Sequence, residues 1–143
     1  NDVTIATHTV TRPWAYLIPS PKKNVIANLL NHGIEVRALA ESVDVEAEVY
    51  EKHSYDLATR SFEGHKLANV EVTKEKVSIE AIKGHFVVRC GQPLGDLAVF
   101  LLEPESEDGL CKWNYFDDHL NLNPMYPVFR IMEPQSWKTI PLK

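Results

Sequence analysis

The alternation of apolar and polar positions is clearest in the middle of the chain. Val43, Val45, Ala47 and Val49 alternate with Asp44, Glu46, Glu48 and Tyr50, the period-two pattern of a strand with one buried face. It predicts a long strand over about 43–54. Alternating pieces recur at Val70 and Val72 and at Val77, Ile79 and Ala81. The run Phe86-Val-Val-Arg-Cys90 reads as a compact strand, with Gly84 and Gly91 as punctuation. Upstream, Ile34, Val36 and Ala38 alternate with Glu35 and Arg37. Trp14-Ala-Tyr-Leu-Ile18, bounded by Pro13 and Pro19, reads as a buried strand. The Thr-rich residues 1–12 alternate loosely, as an extended arm or edge strand would. Pro127 precedes a last apolar piece, 128–132, and 133–143 read as a tail.

Two stretches have the helical period. Val25, Ile26, Leu29 and Leu30 share a face, Ser20 can cap with Pro21 in the first turn, and Gly33 stands where a left-handed residue would stop the helix. This predicts a helix over 21–32. Leu94, Leu97, Ala98, Leu101 and Leu102 predict a second over 93–102, begun by Pro93 and ended by Pro104. Strands outnumber helices, and none of the segments between 43 and 90 is helical. The expected class is α+β: a mainly antiparallel sheet or sandwich carrying two amphipathic helices, in one domain over 1–143.

Composition agrees with this picture. The 143 residues are 44% hydrophobic and 24% charged, ordinary for a chain with one core. The formal net charge of -5 and a pI near 5.7, with scattered Lys and Arg, give no basic stripe for nucleic acid. No apolar run reaches the ~20 residues that a membrane helix needs. Because the chain opens at Asn1 and not at Met, it is expected to be excised from a larger protein. Cys90 and Cys111 are too few for a disulfide framework or a cysteine-based zinc site. A single bridge and two buried thiols are both open.

Candidate chemistry is sparse. His32-Gly-Ile-Glu35 has the His-x-x-Glu spacing of a zinc pair, and His119 is the available third ligand. Against it, a His at a helix end suits the helix dipole, and Glu35 falls on the polar face of a strand. His8, His53, His65 and His85 are isolated. No Gly-x-Ser-x-Gly elbow is present. Gly91-Gln-Pro-Leu-Gly95 lacks the Lys and the spacing of a phosphate loop, so its glycines are assigned to a turn and to helix packing. Glu103, Glu105, Glu107 and Asp108 are read as a solvated acidic loop and not as a calcium site. Trp113, Tyr115 and Phe116 are read first as core, and second as a platform for sugar or peptide.

Several strings resemble a known family. They are Arg12-Pro-Trp-Ala-Tyr-Leu-Ile-Pro19, His32-Gly-Ile34, Leu101-Leu-Glu-Pro-Glu-Ser-Glu-Asp-Gly109, Trp113-Asn-Tyr-Phe-Asp117 and Tyr126-Pro-Val-Phe-Arg130. Together they are similar to the region following the catalytic domain of bacterial zinc carboxypeptidase-like proteins of the carboxypeptidase A superfamily. The resemblance implies a non-catalytic C-terminal accessory domain of a secreted, periplasmic or extracellular protein, packed on the parent's catalytic domain and aiding substrate binding. It implies no cofactor in this chain, with zinc only in the parent's catalytic domain, and transfers no catalytic residue to any position here. The expected docking surface is Arg12, Trp14, Trp113 and Asn114. Two alternatives stand beside it: a stand-alone carbohydrate- or peptide-binding module using Trp113 and Tyr115, and a small zinc hydrolase using His32, Glu35 and His119.

Overall fold

The computed structural model describes residues 2–6 and 8–142. Asn1 and Thr7 of the expected arm, and Lys143 of the expected tail, lie outside the described residues. The arm folds back on itself as β1 (Asp2–Thr4) and β2 (Thr9–Thr11), an antiparallel pair with Val3 opposite Val10. The main sheet contains β3 (Ala15–Ile18), β4 (Arg37–Leu39), β5 (Val43–Leu57), β6 (Ala68–Ala81), β7 (Phe86–Arg89), β8 (Phe129–Ile131) and β9 (Thr139–Pro141). Its order is β6-β5-β8-β3-β7-β4-β9, with every neighbouring pair antiparallel. The protein is α+β and mainly sheet, as the alternation predicts.

The sheet cannot be flat. Strands β4 and β5 are four positions apart in it, which is about 19 Å at the usual strand spacing. Yet Leu39 and Val43 are four steps apart along the chain, and a chain that short spans at most about 14 Å. The sheet therefore curls. Strand β8, which meets β5 at the single pair Glu48 and Arg130, joins the long β5–β6 hairpin to the other strands. Ala15, Leu17, Leu39, Val45, Ala47, Val49, Ala81, Val87 and Ile131 pack together on one face, rimmed by Trp14, Phe129 and Trp137.

The other face carries the helices. Val25, Ile26 and Leu29 of α1 (Lys23–Asn31) and Ala98, Val99, Leu101 and Leu102 of α2 (Gly95–Leu102) pack with Tyr16, Ile18, Tyr50 and Val88 of the sheet and with Val128 just before β8. Strand β3 is thus covered on both sides, which explains its unbroken apolar run. At the end of α1 the Ile34 amide donates to the Leu29 carbonyl and the Gly33 amide to that of Leu30, with Gly33 at φ +87°. This is a Schellman motif closed by a left-handed glycine.

Four details differ from the sequence reading. Ser20 does not cap α1: Ser20 and Pro21, joined by a cis peptide, precede a helix that begins at Lys23 without a side-chain cap. Pro93 likewise precedes α2. A third helix, α3 (Asp117–Leu122), was not expected; it buries only Leu120, too little to leave a periodic trace. The expected tail is part of the sheet, since β9 pairs with β4 and the Leu142 amide donates to the Val36 carbonyl.

Candidate functional site

The aromatic segment after α2 is a run of turns anchored at Asn114, which has φ +78°. Its Nδ2 donates to the Lys66 carbonyl and to Asp117 Oδ2, both at 2.9 Å. These bonds identify Oδ1 as the acceptor facing His65 Nδ1 at 3.2 Å. Asn114 therefore ties the tip of the β5–β6 hairpin to the start of α3. Phe62 and His65 of that tip pack against the Trp113 ring at 5.9 and 5.4 Å between centroids.

Beside Trp113 lies an open recess of about 320 Å³, lined by Asn28 of α1, His32 at that helix's C-terminal end, His65 of the hairpin tip, and Leu101, Asp108, Leu110, Trp113 and Tyr115. Trp113 is half-buried and Tyr115 is 39% exposed, so the segment is not wholly core. The polar groups are largely acceptors. His32 Nδ1 meets the Asn28 carbonyl at 2.8 Å. A carbonyl only accepts, so that nitrogen carries the proton and Nε2 is left with the lone pair in the neutral ring. The same holds for His65, whose Nδ1 meets Asn114 Oδ1. Asp108 Oδ1 accepts from Trp113 Nε1 at 3.4 Å. Asn28 Nδ2 donates to the Tyr115 hydroxyl at 3.1 Å, while Asn28 Oδ1 is buried with no partner among the described residues.

Arg12 and Trp14 sit elsewhere. Arg12 donates to Asp96 at 3.2 Å. The Trp14 ring stacks edge-on to Trp137 at 5.4 Å and carries the Arg89 guanidinium 4.2 Å from its centroid. Trp14, Trp137, Arg37 and Arg89 line a narrow cleft of about 60 Å³ that shares no residue with the recess at Trp113. The expected docking residues therefore form two places on the surface.

His32, Glu35 and His119 are not brought together. Glu35 pairs with Arg37 at 3.8 Å, and His119 Nε2 is used by the Met125 carbonyl at 2.8 Å. Among the described residues, no group of three or more His, Cys, Asp or Glu side chains converges as it would around a metal ion. Cys90 and Cys111 are buried free thiols, each pushed up to about 12 by burial.

The acidic loop is not fully solvated. Glu103 is 1% exposed and accepts from Arg130 NH1 at 2.6 Å and from the Tyr16 and Tyr50 hydroxyls at 2.5 Å each. Arg130 is completely buried and also holds Glu48 at 3.0 Å and the Thr11 carbonyl at 2.6 Å. Burial raises the ionisation of Tyr16 and Tyr50 far above the usual tyrosine range, and the adjacent Glu103 carboxylate adds to the effect. The ions and hydroxyls satisfy one another, so the cluster is a structural tie between α2, β3, β5 and β8. A sequence clue existed: Arg130 stands inside the apolar piece 128–132, where an unpaired charge would be costly.

Comparison with curated proteins finds similarity to carboxypeptidase 2 of Trichophyton rubrum, 28% identical over 123 residues, 86% of this chain and 22% of the relative. Carboxypeptidase 2 of Trichophyton tonsurans is 27% identical over the same shares. The chain spans about a fifth of the length of these curated relatives. The likeness is thus to one domain-sized part of a carboxypeptidase. No protein-family model and no solved structure matches the chain.

Proposed function

We propose that this chain is a non-catalytic accessory domain of a secreted zinc carboxypeptidase-like protein, packed on the catalytic domain and aiding substrate binding. The observation that carries the reading is coverage: nearly the whole chain matches, yet it accounts for 22% of the relatives' length. The scattered placement of His32, Glu35 and His119 supports it. In this reading zinc belongs to the catalytic domain of the parent, which works in the periplasm or outside the cell. Of the expected docking residues, Arg12 and Trp14 suit the interdomain face. The cleft beside Trp14, which Arg12 does not line, joins two half-buried tryptophans to Arg37 and Arg89, the aromatic and guanidinium content usual at interface centres.

The test is the full-length protein with and without these residues, assayed for soluble yield, thermal midpoint and peptide turnover. Loss of midpoint or turnover is expected on deletion, and Trp14→Ala should reproduce part of it. Equal yield, midpoint and turnover would refute the proposal. A second reading, a stand-alone sugar- or peptide-binding module, is favoured by the exposure of Tyr115 beside the half-buried Trp113. It predicts ligand binding by the chain with no effect of deletion on turnover.

A further inference from the structure

We infer that the recess beside Trp113 receives the positively charged side chain of a lysine or arginine carried by a polypeptide. Its lining offers two aromatic rings, Trp113 and Tyr115, and a carboxylate, Asp108, with no Lys or Arg among the lining residues. Further acceptors lie around them: the Nε2 lone pairs of His32 and His65, left free because each Nδ1–H is committed to a protein oxygen. A recess rich in acceptors and π faces and bordered by a carboxylate is complementary to a group that only donates and is positively charged. Arginine and lysine are those groups. A sugar hydroxyl both donates and accepts, and would call for a more even mixture. A bare metal ion would need converging ligands, which the described residues do not form here. The same chain already makes contacts of the proposed kind, where Arg89 lies over Trp14 and Lys52 over Tyr55. The inference rests on the recess alone and is independent of the carboxypeptidase reading.

The experiment titrates the ¹⁵N-labelled full chain with Nα-acetyl-arginine methylamide and Nα-acetyl-lysine methylamide, following the indole N–H resonance that Trp113→Phe removes. Nα-acetyl-citrulline methylamide supplies the same shape without charge, and cellobiose supplies a sugar. The charged probes are expected to shift the Trp113 resonance saturably. Asp108→Asn, at an exposed position, should weaken them about fivefold or more at unchanged thermal midpoint. No shift with either charged probe would overturn the inference. So would citrulline or cellobiose binding as well as arginine, or unchanged affinity in the Asp108→Asn variant.

Discussion

Arg130 NH1 and Glu103 Oε2 lie 2.6 Å apart with neither side chain open to solvent, joining β8 to the end of α2 through the centre of the molecule. A pair at this depth is costly to desolvate and strongly destabilising to break on one side. Glu103→Gln is expected to lower stability by about 3 kcal/mol or more, because it strips the charge from Arg130's closest partner. Arg130→Met combined with Glu103→Leu should recover much of that loss. Urea unfolding of Glu103→Leu, Arg130→Met and the double variant checks this. Additive losses would contradict the coupling.

Gly95 is required by space and not by backbone angle. A Cβ built there meets the Cys90 carbonyl oxygen at 1.8 Å and its carbon at 2.7 Å, both backbone atoms that cannot swing aside. Gly95→Ala should cost at least about 3 kcal/mol by forcing α2 away from the end of β7. Gly91→Ala is the control, since a Cβ there meets nothing within 4 Å. It should stay within about 1 kcal/mol of the parent in the same unfolding assay.

The segment 133–142 belongs to the fold. It pairs Thr139, Ile140 and Pro141 with β4 and sets Trp137 against Trp14. Truncation after Met132 is expected to lower the urea midpoint by the equivalent of about 2–4 kcal/mol, since it uncovers Trp14 and leaves β4 with one neighbour. Trp137→Ala alone should account for a large part. A truncated chain of unchanged stability would return the segment to the status of a tail.

What could be read along the chain was whatever depends on neighbours in sequence. The alternation at 43–49 finds β5, and Leu29, Leu30 and Gly33 find the end of α1. The features that escaped depend on partners far away. Strand β9 is three residues whose only reason to be extended is β4, about a hundred residues earlier. Glu103 looks like the first of a solvated acidic series until Arg130, Tyr16 and Tyr50 are placed around it. The curl of the sheet follows from the short 39–43 connection only once strand order is known. At the candidate site, Trp113 and Tyr115 were visible as an aromatic pair. Asn28, His32, His65 and Asp108 come from three other segments that meet only after α1 and the β5–β6 hairpin pack.

Alkaline stability follows from the two buried thiols. Cys90 and Cys111 are 1% and 2% exposed, and burial raises each from an ordinary value of 9.0 to about 12. The folded chain thus keeps both protons to higher pH than the unfolded chain does. Below pH 9 the two states are protonated alike and this contribution is complete. Between about 9 and 12, unfolding releases protons, so stability falls as pH rises, by about 1.4 kcal/mol per pH unit for each thiol. Tyr16, Tyr50 and Tyr126, also raised by burial, add to the fall once unfolded tyrosines ionise near pH 10. Unfolding free energy measured from pH 7 to 11 should be flat to about 9 and then drop. In a Cys90→Ala, Cys111→Ala double variant the curve starts lower but stays flat to about 10, where only the tyrosines act. Identical pH profiles for the two proteins would show that the thiols are not the groups responsible.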